Sequence, residues 1–523
     1  MAIASESTRQ ELPIILIRGF GGLDAADERK LTYYGFNDGT VYPQRQGENY
    51  IYEGMILRLM KSKWRYQDAT NIINYYDKPQ PRRDIVKELA KLPKEFFFGE
   101  KIVVDPALAL ALKDNPEPMR TMWVFRYYDL DDRTFPQYGL ALKRLIELVR
   151  TLVALKTGGD RPKVNIIAHS MGGLIVREAL QVAYKPGEAP EAVNKIVTLG
   201  TPHKGIAFQR MKSLKWLPFL EAGSEIERFN PERQADARNP AGYKNFAKAF
   251  PPDRLLCVVG TNYRAFSVAP ATILNKLFSI DGEFGLNYNR SDGLVKIDSA
   301  SLPGAPLAYV YKCHGGEDSL ITSREAFEIA IRFFHGDIHA RLRVMDAQIK
   351  KGGDFFGKSE YFIGVSLKPR GVDFDLWNQS KLGENCYGPF NSDKLDDSKV
   401  AFDWLGPKRD ERTLYAGWLD SGQSPTGKDD LVMRLETYVG ERDLFGLGFS
   451  DNLIHHDNCF VQARLLPKLR LAKHVSEDTS GPGLPLKQTD EQTWLLPIES
   501  NGFKATFGIQ LSFVPEVGER VLV

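Results

Sequence analysis

The chain has 523 residues, of which 43% are hydrophobic and 26% charged, with a formal net charge of +2. Such a composition excludes extensive disorder, and the length predicts two compact domains rather than one. The near-balanced charge, with no basic stripe interleaved by aromatic residues, leaves no basis for nucleic acid as a partner.

In chain order, Met1 to Glu11 is short and polar and has none of the apolar core of a secretory signal, and no uninterrupted apolar run of about 18 residues follows anywhere. The expectation is a chain with no transmembrane segment, cytoplasmic or exported without a cleavable signal. Pro13-Ile14-Ile15-Leu16-Ile17 reads as a buried parallel strand running into Arg18-Gly19-Phe20-Gly21-Gly22. Glycines let the backbone approach a reacting carbonyl, so this loop can supply an oxyanion donor, with the N–H of Phe20 as the expected one. A phosphate cradle fails on spacing, because no Gly-Lys-Ser/Thr follows and G-x-G-x-x-G is absent.

Residues 23–121 separate that loop from the next core strand and are too many for a structureless connection. This insertion carries Tyr33-Tyr34, Tyr75-Tyr76, Phe96-Phe97-Phe98 and a helical stretch from Tyr52 to Lys61. Its apolar groups either cap an active site or pack a small core of their own. Further strands are expected at Met122 to Tyr127, Val164 to Ala168, Lys195 to Leu199, Leu255 to Val259 and Leu307 to Tyr311, with amphipathic helices at Tyr138 to Leu155 and Ser323 to Phe334. Strands alternating with helices predict a parallel sheet covered by helices.

Within this pattern Ser170 stands in Ala168-His169-Ser170-Met171-Gly172, where a strand breaks into a turn of small residues and then into a helix from Leu174 to Tyr184. Such a turn exposes a serine oxygen and aims the following N–H, here that of Met171, at the same point. A serine hydroxyl is a weak nucleophile until an imidazole takes its proton and a carboxylate holds that imidazole. His314, after the strand-like run ending at Cys313, supplies the imidazole, and Asp292, in Ser291-Asp292-Gly293-Leu294-Val295, supplies the carboxylate, with Asp281 and Asp298 as rivals. The chain order is nucleophile, acid, histidine.

Two later regions complete the reading. Residues 206–250 contain Phe208, Met211, Leu214 and Leu217 at helical spacing, with Arg210, Lys212 and Lys215 on other faces: either a lid that meets a lipid interface or an ordinary surface helix, ended or bent at Pro218. From 341 to 523 short alternating runs, such as Tyr361 to Leu367, Leu431 to Val439 and Ala505 to Phe513, predict a β-rich accessory domain resembling an antiparallel sandwich. Cys257, Cys313, Cys386 and Cys459 fit no metal pattern, though Cys386 and Cys459 could pair. Asp393-Lys394-Leu395-Asp396-Asp397 lacks the ligand alternation and glycine of a calcium loop, and His455-His456-Asp457 reads as a turn between strands.

Taken together, these residues make the chain resemble the lipase and esterase branch of the α/β-hydrolases, in particular bacterial lipases and hydrolases similar to GPI inositol-deacylase, over roughly residues 12–336. Val197-Thr198-Leu199-Gly200-Thr201-Pro202-His203-Lys204-Gly205 is similar to the strand and loop that follow the nucleophile helix in those families, and a segment like Ser291 to Val295 carries their triad acid, which favours Asp292. The departures are Ala168 for the first glycine of G-x-S-x-G, Arg18 where lipases usually carry histidine, and the long insertion. The resemblance implies an α/β-hydrolase catalytic domain over 1–340, no cofactor and no metal, and an ester or lipid substrate cleaved by Ser170, His314 and Asp292. An amide or thioester would meet the same attack, and a binding protein on this fold is the alternative of a different class.

Overall fold

The computed structural model describes residues 11–19, 52–68, 73–74, 103–104, 115–125, 134–159, 161–205, 245–263, 291–316, 318–349, 360–380, 382–383, 385–390, 413–424, 430–442, 453–489 and 493–514. Phe20, Asp281, the Phe208 to Leu220 stretch, Asp393 to Asp397 and the aromatic clusters of the insertion lie outside them.

Apolar runs that must be covered on both faces form the first sheet. Its strands are β1 (Ile14–Ile17), β2 (Gln67–Asp68), β3 (Thr121–Phe125), β4 (Val164–His169), β5 (Val193–Leu199), β6 (Leu255–Gly260) and β7 (Leu307–Val310), in the order β2-β3-β1-β4-β5-β6-β7. Every residue of β1, β3, β4, β6 and β7 is buried. The pairings of β2 with β3, β3 with β1, β1 with β4 and β4 with β5 are all parallel, and the register sets Ile17 opposite both Phe125 and Ala168. The six expected core strands are therefore all present, and β2, contributed by the insertion, extends the edge.

Among the helices, α1 (Glu53–Lys61) lies in the insertion. The next, α2 (Phe135–Thr157), starts with a proline in its first turn, buries Leu142, Leu145, Ile146, Val149, Leu152 and Val153, and stops at Gly158 with φ 64°. The helix expected after Ser170 begins earlier and changes register: α3 (Met171–Glu178) is α-helical, then Ala179–Ala183 form a π turn. Ala189–Ala192 (α4) lead into β5, and α5 (Arg324–His335) realises the helix expected after His314. Among the described residues no helix is long and apolar enough to cross a membrane.

The chain divides into two compact units: Met1–Cys257 with Asp298–Ala305 and Gly315–Ser323, and Val258–Ile297 with Pro306–His314 and Arg324–Val523. The second contains two further sheets, with the long strands antiparallel. One joins β8 (Ile338–Ile349), β12 (Thr413–Leu419), β17 (Lys487–Gln488), β18 (Thr493–Glu499) and β19 (Phe503–Phe513) in the order β12-β8-β19-β18-β17. The other joins β9 (Glu360–Pro369), β10 (Trp377–Asn378), β11 (Tyr387–Phe390), β13 (Asp430–Arg442), β14 (Leu453–Arg464), β15 (Arg470–His474) and β16 (Leu484–Pro485) in the order β10-β9-β13-β14-β15-β16, with β11 paired to β9. The two sheets meet through Trp377 against Tyr415, ring centroids 5.6 Å apart, and His455 against Phe503, 4.9 Å apart, which is the facing arrangement of a sandwich.

Two expectations change here. His455-His456-Asp457 is not a turn but the interior of β14: buried His455 bonds Thr437 and Ser500, while half-exposed His456 bonds Glu436 across the strand pair. Cys386 and Cys459 are not bridged, since all four cysteines are free and buried.

Candidate active site

The strand β4 ends at His169, and the chain turns at Ser170 with φ 52° and ψ −126° before α3 begins. A positive φ at a non-glycine residue is strained and persists only where the surroundings hold it. Three bonds do so: the Ser170 N–H donates to the Leu199 carbonyl at 2.9 Å, the Thr201 hydroxyl donates to the Ser170 carbonyl at 2.9 Å, and the Gly173 N–H donates to that carbonyl at 3.1 Å. Small residues are obligatory around this turn. A Cβ on Gly172 would stand 2.6 Å from the Arg18 carbonyl oxygen, one on Gly173 would collide with the Thr201 side chain, and one on Gly19 would stand 2.8 Å from Cβ of Ser170. Ala168 is fully buried between β1 and β5, where a methyl group fits. Met171 opens α3, so its N–H belongs to the first turn, where no acceptor exists within the helix.

The loop behind the turn is tied down from within. Arg177 on α3 is buried, donates from Nη1 to the His203 carbonyl at 2.5 Å and from Nε to Gln181 at 3.0 Å, and burial pulls its pKa down to about 9. Burial, reinforced by Arg177 and Lys204, holds His203 well below the ordinary imidazole range, so it stays neutral with Nε2 3.1 Å from the Thr198 hydroxyl.

In the second unit Asp292 and His314 come together. The Asp292 side chain is completely buried and that of His314 nearly so, with Oδ2 of the carboxylate 2.8 Å from Nδ1 of the ring. Oδ1 accepts from the N–H groups of Leu294 at 3.0 Å and Val295 at 2.7 Å, and the His314 N–H donates to the Asp292 carbonyl at 2.8 Å. One carboxylate oxygen thus makes an Asx turn and the other receives the imidazole. Because a carboxylate only accepts, Nδ1 carries the ring hydrogen in the neutral imidazole, and Nε2 is left as the proton acceptor. Gly293 turns at φ 103°, which a side chain would resist. Of the rivals, Asp298 is exposed and belongs to the first unit, as Ser170 does, and Asp281 is outside the described residues.

One residue at the turn was not anticipated as functional. Tyr52, just before α1, accepts from the Gly19 N–H at 2.8 Å and lies 2.8 Å from Nδ1 of His169. Its only signal in the sequence is an aromatic residue at the start of a helix inside the insertion. Among the described residues no group of three or more histidine, cysteine or acidic side chains could hold a metal.

Residues 85–215 match the family model described as PGAP1-like alpha/beta domain, about a quarter of the chain. The chain has the α/β-hydrolase fold. The match includes Ser170 and the loop 201–205 and ends before Asp292 and His314, and with it the chain resembles the lipase and esterase branch of the α/β-hydrolases. No curated protein matches the chain. Among solved structures, the mature Bacillus licheniformis lipase BlEst2 is 14% identical, with 62% of this chain and 92% of that chain covered and a TM-score of 0.29. The metagenomic carboxyl esterase MGS0156 is 14% identical, covering 63% of this chain and 76% of its own, with a TM-score of 0.31. Phospholipase PlaB from Legionella pneumophila is 13% identical, covering 61% and 78%, with a TM-score of 0.26.

Proposed function

We propose that this α/β-hydrolase is a serine hydrolase that cleaves carboxylic esters by two-step acyl transfer. The observation that carries the reading is the buried Asp292–His314 pair, oriented with Nε2 free of the carboxylate, in a chain whose Ser170 sits in a strained strand-to-helix turn. In the first step Nε2 of His314 takes the Ser170 proton as Oγ attacks the ester carbonyl, and the N–H groups of Met171 and Phe20 receive the oxyanion. The imidazolium, stabilised by Asp292, then protonates the leaving alcohol. In the second step the same imidazole activates water, which releases the acid and restores Ser170.

The proposed catalytic domain is residues 1–340, with 341–523 as an accessory β-domain. The aromatic insertion and the basic amphipathic stretch from Phe208 to Leu220 support lipid or long-chain acyl esters, with contact at a lipid interface, as the preferred substrates. Steady-state hydrolysis of a p-nitrophenyl ester series tests the reading. Ser170→Ala and His314→Ala should each lower kcat by roughly 10³-fold or more, with KM little changed. Variants that retain wild-type turnover would exclude these residues, and faster cleavage of matched amides or thioesters would move the substrate class.

A further inference from the structure

We propose that Tyr52 is a positioning residue that clamps the start of the glycine-rich loop onto the residue preceding the nucleophile. The proposal rests on the serine-hydrolase reading of Ser170. The Tyr52 side chain is almost fully buried, its ring meets that of His169 edge-on with centroids 5.8 Å apart, and the Arg18 guanidinium lies 5.9 Å from its ring centroid. The phenolic oxygen accepts the Gly19 N–H and gives its own hydrogen to Nδ1 of His169, so one hydroxyl serves both neighbours.

Gly19 is where the loop presses on the turn, since a Cβ there would stand 2.8 Å from Cβ of Ser170 and 2.9 Å from Nδ1 of His169. Its N–H is engaged by Tyr52, which makes it an anchor and leaves oxyanion donation to N–H groups further along the loop. The insertion is itself fixed at three points. The Tyr66 hydroxyl donates to the Leu12 carbonyl at 3.0 Å, just before β1, while Tyr52 grips Gly19 just after it. At the other side of α1, Arg58 donates to the Thr322 carbonyl at 2.9 Å and the Ser323 carbonyl at 3.3 Å. The strand and its loop are therefore bracketed by the insertion, and the distance between loop donor and nucleophile is set by hydrogen bonds as well as by packing. A displacement of about 1 Å in such a donor is enough to lower turnover by up to about 10²-fold.

Full-length Tyr52→Phe, His169→Leu and His169→Asn, compared by steady-state kinetics and thermal melting, test this. Tyr52→Phe and His169→Leu should each lower kcat about tenfold or more while KM moves less than about twofold. The Asn side chain places Oδ1 where Nδ1 was, so His169→Asn should recover most of the kcat that His169→Leu loses. The double variant Tyr52→Phe/His169→Leu should be no slower than the worse single one, because both remove one contact. Wild-type kcat in the folded single variants, or an Asn variant no better than Leu, overturns the proposal. The His169 pair reads the contact without altering Tyr52, so it decides even where Tyr52→Phe fails to fold. A wild-type protein that no fluorophosphonate labels contradicts the hydrolase reading instead.

Discussion

Ser170 keeps φ 52° against the preference of every L-residue, at a cost of about 1–3 kcal/mol, and the Leu199 carbonyl and Thr201 hydroxyl hold it there. If strain is what projects the hydroxyl out of the turn, removing the side chain and removing the strain are separable. Ser170→Gly relaxes the strain and loses about 0.5–1 kcal/mol to the freer unfolded chain, whereas Ser170→Ala keeps the strain. Both should be inactive, with the glycine variant more stable than the alanine variant by about 1 kcal/mol in chemical denaturation. Equal stabilities would remove strain from the account. His339, lowered to about 4 by burial and then by Arg341, makes a second residue-scale prediction. Its folded pKa lies below the ordinary 6.5, so the unfolded chain takes up its proton first and the stability present above pH 6.5 is lost as the pH falls toward 4. His339→Gln should flatten the decline of Tm over that window, and an unchanged slope would contradict it.

At the level of elements, the departure Ala168 belongs to strand packing rather than to the turn. Its methyl group is fully buried with Ile17 on one side and Thr198 on the other. Ala168→Gly, which restores the strict motif, should therefore cost about 0.5–1 kcal/mol and bring no gain in kcat, measured by denaturation and ester turnover. What could be read in advance follows the same logic. Strands such as Ile14–Ile17 and Leu255–Gly260 were legible because burial on both faces leaves an unbroken apolar run. The Asp292–His314 contact spans only 22 residues and joins two recognisable loops. The Tyr52–His169 bond joins residues 117 apart, and no local pattern encodes it. The π turn at Ala179–Ala183 changes hydrogen-bond register without changing which residues are apolar, and β14 was read as a turn because its polar face, His456 to Asn458, faces solvent.

On the scale of the whole molecule, the β-rich part is not a loosely attached module. Within the second unit Tyr309 of β7 lies against Trp377 with centroids 4.9 Å apart, Phe333 of α5 against Trp418 at 4.6 Å, and the Arg332 guanidinium 5.3 Å from the Phe374 ring. The ends of β6 and β7 are also joined, since Thr261 N–H donates to the Val310 carbonyl at 3.1 Å and Asn262 N–H to the Lys312 carbonyl at 3.2 Å, two residues before His314. Removing residues 338–523 strips the aromatic partners from the segment that carries the histidine, and should abolish turnover of soluble esters as well as of lipid ones. A truncated chain that keeps wild-type kcat on a soluble ester would show that the β-domain only serves attachment. The most direct measurement of the central claim is peptide mapping of the adduct left by a fluorophosphonate on the native wild-type and His314→Asn proteins. The account predicts a single adduct on Ser170, formed at least about 10²-fold more slowly without His314. No adduct on Ser170, or one whose rate ignores His314, would contradict it.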